Sequence, residues 1–203
     1  MSITCFLHSY GVNHYESILK EYLDRGSDFF NMCDNLIVTY GGSKPTNIHP
    51  KANLIKLEVA DEIYTMNIIH KHCKSNLNDK ICYLHTKGVT NDNQCITEWR
   101  KYMFYFGCIK YNDRLEELKS NDTCGVDLRT TPVLHYSGNF WWANANYISG
   151  LNEPNKTYSP LSERHKSEFW VTSKTDARHH STHDCGINVY ERHLHSYPEE
   201  KYK

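Results

Sequence analysis

The sequence predicts an α/β domain whose sheet pairs its strands in parallel, and three observations carry that prediction. Short apolar runs alternate with stretches of helical period, their order reads β-α-β-β-α-β, and a loop with Gly-Gly and Pro separates the two adjacent strands. Residues 3–7 form the first apolar run. Tyr15, Ile18, Leu19, Tyr22 and Leu23 then recur at i, i+3, i+4, i+7 and i+8, with Asn13 and Glu16 spaced like a capping box. Residues 36–40 and 54–59 read as strands on either side of the loop, and Ile63, Met66, Ile69 and Cys73 mark a second helix. Residues 81–84 read as a buried strand. A third helix is expected to begin near Asn91 as N-cap and to carry Ile96, Trp99, Met103, Phe106 and Ile109 on one face. Beyond Asp122 the texture changes to short strands at 123–126, 140–145 and 169–171, and the tail from Asp176 is rich in His and Tyr. No linker divides the chain.

Composition narrows the function classes. The 203 residues carry 23 Lys+Arg against 24 Asp+Glu, a formal net charge of −1, which argues against an electrostatic nucleic-acid binder. No apolar run is long enough to span a membrane, and Met1 to Cys5 lack the basic start and apolar stretch of a signal peptide, so a cytoplasmic protein is expected. The eight cysteines show no C-x-x-C spacing, and free thiols are expected over bridges or zinc.

Four clusters hold candidate chemistry. His85-Thr86-Lys87-Gly88 follows the strand at 81–84, where ligands of open α/β sheets bind. Lys87 supplies a fixed charge, His85 a partial one, and Gly88 lets backbone amides approach a diphosphate. The competing reading is a strand end meeting solvent. Around His135 to Asn144, Trp141 and Trp142 offer ring faces beside Ser137, Gly138, Asn139 and Asn144, the combination a sugar ring needs. Adjacent strand residues face opposite ways, so one tryptophan is expected in the core. In Arg164-His165-Lys166-Ser167-Glu168-Phe169-Trp170, Glu168 is a carboxylate among aromatics and a candidate general base, or one partner of a surface ion pair with Arg164 or Lys166. His179, His180 and His183, with Asp184 and Cys185, have spacings that could bind a metal on a helix, although not the H-E-x-x-H pattern.

Taken in order, these strings resemble a family of small GT-A-type glycosyltransferases found in large DNA viruses, algae and bacteria. The resemblance runs through Ile81 to Gly88, Trp99-Arg100-Lys101-Tyr102-Met103, Asp122 to Asp127, His135 to Asn144, Arg164 to Trp170 and His183 to Asn188, and so covers nearly the whole chain. It implies a single GT-A-like domain over 1–203, with a Rossmann-type nucleotide-binding half (1–120), a mixed central sheet and a smaller acceptor-side half (121–203). The implied reaction moves a sugar from a nucleoside diphosphate sugar, a UDP-sugar first among them, to a glycan or glycoprotein acceptor, in host cytoplasm if the chain is viral. Glu168 would be the base of an inverting transfer, with His85, Lys87 and Arg100 against the leaving diphosphate.

Further donor contacts fall on His8, Ser9, Tyr10, Tyr40, Thr86, Gly88 and Asp127. Acceptor contacts fall on Ser137, Gly138, Asn139, Trp141, Trp142, Asn144 and His165. The chain lacks any Asp-x-Asp, which puts reliance on Mn²⁺ or Mg²⁺ in doubt, and Asn188-Val189-Tyr190 stands where relatives have Asn-His-Tyr. Two other readings remain: a non-catalytic glycan-binding module stacking sugars on Trp141 or Trp142, and a Rossmann-type methyltransferase, disfavoured by the single glycine of Leu7-His8-Ser9-Tyr10-Gly11.

Overall fold

The computed structural model describes residues 1–91, 93–188 and 190–203, with the side chain of Arg164 outside the description. Val189, and with it the expected departure from Asn-His-Tyr, lies outside the described residues.

Strands β1 (Ile3–Gly11), β2 (Asn35–Gly42), β3 (Asn53–Lys56), β4 (Lys80–His85), β5 (Thr123–Val126), β8 (Trp141–Asn144) and β9 (His179–His183) form one seven-stranded sheet in the order β3-β2-β1-β4-β8-β5-β9. Neighbours β1, β2, β3 and β4 pair in parallel, β8 runs antiparallel to both β4 and β5, and β9 pairs parallel to β5. The result is an α/β fold with a mixed sheet. A small antiparallel ladder, β6 (Leu128–Arg129) with β7 (His135–Tyr136), stands beside it.

Helices α1 (Tyr15–Met32), α3 (Gln94–Phe104) and α4 (Tyr111–Glu117) cover the face that receives Cys5, Leu7 and Trp142. Helix α2 (Glu62–Ser75), with α5 (Ala145–Ser149) and α6 (Lys166–Trp170), covers the face that receives Phe6, Tyr83 and Trp141. Burial on both faces explains why the central strands are apolar without alternation. Helix α1 bends at Gly26, where an added Cβ would lie 2.6 Å from the Phe104 ring. All eight cysteines are unbridged. Among the described residues no helix is long and apolar enough to cross a membrane.

Several sequence expectations are corrected. Asn13 and Glu16 make no capping box: Asn13 takes φ +48°, His14 is the N-cap, and the Glu16 carboxylate accepts from the backbone of Thr46 and Asn47 at 2.8 and 2.9 Å. Residues 57–59 leave β3. The N-cap of helix α3 falls two residues after the expected one, at Asn93, whose Oδ1 accepts from Cys95 N, and at Phe104 the helix opens into a π turn over Tyr105–Ile109 that leaves Ile109 exposed. Residues 169–171 are the end of α6 and the turn after it, because Phe169 and Trp170 are buried from a helix.

His179 to His183 form strand β9, which disperses the expected metal ligands. His179 Nδ1 lies 2.7 Å from Thr123 Oγ1, His180 faces Glu117 at 3.6 Å, and His183 Nδ1 bonds the Tyr102 hydroxyl at 3.0 Å.

Candidate functional site

Strand order reverses at β1, since β2 lies on one side of it and β4 on the other, and ligands of open α/β sheets bind beyond the carboxyl ends of strands at such a reversal. A cleft of about 490 Å³ opens there. His8 and Tyr10 of β1, residues 85–91 after β4, Asp61 and Glu62 at the start of α2, and Glu168 of α6 line it.

The loop after β4 is held from behind. Tyr22 Oη donates to His85 O at 2.8 Å, Thr86 N donates to His8 O at 3.0 Å, Tyr10 N donates to Thr86 Oγ1 at 3.1 Å, and Arg100 Nη1 donates to Lys87 O at 3.0 Å. Gly88 sits at φ +89°, and a Cβ on it would lie 3.0 Å from Ile96 Cγ2 and 3.1 Å from Arg100 Nη1, so the turn requires glycine. Among the described residues the successive N–H groups of Gly88, Val89 and Thr90 make no hydrogen bond. Such a run of amides is a seat for an anion. Lys87 stands beside it, its ammonium 4.0 Å from the centre of the Trp99 ring.

The opposite wall is acidic. Asp61 caps α2 by accepting from Ile63 N at 2.9 Å. Glu62 Oε2 accepts from Tyr83 Oη at 2.7 Å and Asn139 Nδ2 at 2.8 Å, while Oε1 lies 3.7 Å from His85 Nδ1. Burial pushes its pKa up, but His85, His8 and these two donors outweigh burial and hold it at about 2, so Glu62 is a fixed anion of low basicity. His85 Nε2 lies 3.0 Å from Gly138 O, which can only accept, so Nε2 carries the hydrogen. With Nδ1 turned to Glu62, His85 has no N–H left for a phosphate and acts as a positioning residue. Glu168 differs from Glu62. Its half-buried carboxylate has no hydrogen-bond or ion-pair partner among the described residues. Lys166 pairs with Glu163 at 2.9 Å instead.

His8 is buried, with Nδ1 2.8 Å from Thr65 Oγ1 and 3.4 Å from Thr39 Oγ1. Burial, with the like charge of His85 and against the pull of Glu62, lowers its pKa from 6.5 to about 4, so it is neutral at pH 7. The unfolded chain therefore binds a proton at His8 before the folded chain does. Its contribution to stability is complete above pH 6.5 and is lost as pH falls toward 4, with a slope of up to about 1.4 kcal/mol per pH unit. Urea unfolding of the wild type and His8→Asn at pH 7, 5.5 and 4.5 should show a flatter decline in the variant. Equal slopes would contradict the assignment.

Other expected site residues lie elsewhere. Trp141 and Trp142 are each 1% exposed and both belong to the core, one on each face of the sheet, because helices cover β8 on both sides; neither can stack on a sugar. Arg100 is buried against Glu21 at 2.9 Å and supports the loop from beneath. Ser9 and Tyr40 are buried and line no part of the cleft. Ser137 is buried, whereas Gly138 and Asn139 reach the site through His85 and Glu62. Asn144 is at the other end of β4, bonding Lys80 and the carbonyls of Leu118 and Asn121. His165 bonds Ser162 and stacks on Phe169.

Asp127 lies beyond β5, where with Asp184 and Cys185 it forms the one group of metal-ligand type among the described residues. Arg129 already bonds both carboxylates, and Cys185 N donates to Asp127 at 2.8 Å. Burial raises the Asp127 pKa. Residues 42–200 match the family described as Domain of unknown function (DUF8361), and the chain belongs to that family. The match takes in Glu62, the loop after β4, Asn139 and Glu168. No curated protein matches the chain.

Proposed function

We propose that the chain is a GT-A-type glycosyltransferase that moves a sugar from a nucleoside diphosphate donor, a UDP-sugar first among candidates, to a hydroxyl of a glycan or glycoprotein. The observation that carries this reading is one cleft that has, on one wall, the Glu168 carboxylate with no partner among the described residues and, on the other, three successive amides beside Lys87, likewise unpaired among the described residues. The strand order, with β8 alone reversed, supports it, since the nucleotide-binding half then runs into the acceptor half through a single sheet.

The polarity of the cleft orients the donor. The diphosphate faces residues 87–90, the sugar hydroxyls face the acidic wall, and the base lies toward the exposed ring of Tyr10. Glu168 accepts the proton of the acceptor hydroxyl as its oxygen bonds the anomeric carbon. The bond from that carbon to the diphosphate oxygen breaks with its electron pair passing to the diphosphate, where Lys87 and the Gly88–Thr90 amides stabilise the charge. A base on the acceptor side gives inversion.

Among the described residues, those at the place of Asp-x-Asp and those around Asp127 do not fit the divalent cation of many GT-A enzymes. His85-Thr86-Lys87 occupies the place of Asp-x-Asp with both His85 nitrogens turned to protein acceptors, and the Asp127 group is filled by Arg129. The glycan-binding alternative loses its platform with Trp141 and Trp142 in the core. A panel of nucleoside diphosphates and their sugars should raise the melting temperature, a ligand at 100 times its Kd adding about 2.7 kcal/mol. No shift at millimolar concentration with any of them would overturn the proposal.

A further inference from the structure

The C-terminal segment contributes a buried cation that the proposed reaction does not use. Arg192 is 1% exposed, and its guanidinium lies 5.6 Å from the Trp99 ring, 5.7 Å from Tyr102 and 5.5 Å from Tyr197. Nη1 donates to His195 O at 3.2 Å, while Nε and Nη2 have no partner, and among the described residues no carboxylate lies within 4 Å of it. A buried charge with no carboxylate in contact, Glu98 acting on it only from beyond ion-pair distance, is a costly way to fill space that an apolar side chain could occupy. What it gains is a hold on aromatic rings, strongest for a desolvated cation over tryptophan.

Trp99 connects that hold to the cleft. The same indole carries the Lys87 ammonium at 4.0 Å. It also packs against Gly138, where an added Cβ would stand 3.0 Å from Trp99 Cζ2, and the Gly138 carbonyl receives the His85 Nε2 hydrogen. One ring therefore touches the side chain beside the anion seat and the turn that fixes His85.

We propose that Arg192 is a positioning residue for the cleft: by clamping Trp99 from the C-terminal segment, it holds Lys87 beside the Gly88–Thr90 amides and keeps the Gly138 turn in place. For its effect on donor binding this rests on the function proposed above, whereas its effect on Lys87 does not. The clamp also makes the site depend on the seating of residues 190–203, which pack Tyr197 and Tyr202 against Tyr102.

The test compares wild type with Arg192→Met, which keeps an unbranched apolar stem and loses the charge, and Arg192→Lys, which keeps the charge. The rate of acetylation of Lys87 by a dilute acylating reagent, read by mass spectrometry, needs no ligand. It should rise about 5-fold or more in Arg192→Met and stay near wild type in Arg192→Lys, a pattern that lost packing alone would not give. UDP affinity should weaken by a similar factor in the Met variant and recover in the Lys variant. If Arg192→Met does not fold, Trp99→Phe, which keeps apolar bulk but offers a weaker face, should show the same rise at Lys87. Unchanged Lys87 labelling in the folded variant overturns the proposal. If the wild type binds neither UDP nor any other nucleoside diphosphate of the panel while Lys87 labelling responds as stated, the donor reading fails and the clamp stands.

Discussion

Glu168→Gln is expected to bind donor normally and to lose a factor of about 100 to 10,000 in kcat, the range for removal of a general base. The substitution keeps size and hydrogen-bonding capacity and removes only basicity. Glu168 is favoured because its carboxylate lines the cleft with no hydrogen-bond or ion-pair partner among the described residues. Glu62 lines the same cleft but already accepts from Tyr83 and Asn139 and is held at about 2, too weak a base near neutral pH. His165, the sequence competitor, is tied to Ser162 outside the cleft lining, so His165→Ala should leave kcat within a few-fold of wild type. Near wild-type kcat in Glu168→Gln would remove the assignment. A product of retained anomeric configuration would remove the inverting mechanism while leaving the donor site standing.

Lys87→Ala is expected to lower turnover about 100-fold with the fold intact, because a charge-assisted contact to a leaving group is lost from a partly enclosed cleft. Its cation–π contact with Trp99 is a modest structural loss by comparison, about 1 kcal/mol. The melting temperature and kcat of this variant should therefore separate, the first moving little and the second greatly. Full turnover in Lys87→Ala would show that the diphosphate charge is met elsewhere.

The strands that build the cleft could be read from the sequence because they are buried on both faces. Residues of β1, β2 and β4 form apolar runs that few other structures permit. Strand β9 could not be read in this way: at the sheet edge it carries His, Ser and Thr, whose partners are side chains distant in sequence such as Thr123 and Tyr102. The same holds within the site. His85-Thr86-Lys87-Gly88 announces itself by following an apolar strand with a polar cluster and glycine. Glu62 looks like an ordinary acidic residue in the first turn of a helix, and only the approach of Tyr83 and Asn139, 21 and 77 residues away in sequence, makes it the anion of the cleft. The Asp-Glu pair opening the helix was a visible signal for it. For Trp141 and Trp142, the rule that neighbours face opposite ways holds, and it does not reveal that both faces of β8 are covered.

The anion seat is read most directly from the backbone amides that form it. In residue-resolved NMR of the isotope-labelled protein, titration with UDP should move the amide resonances of Gly88, Val89 and Thr90 most, and downfield, as unpaired N–H groups gain phosphate acceptors. Saturating UDP that leaves those three resonances in place while shifting others would contradict a diphosphate seat at this loop.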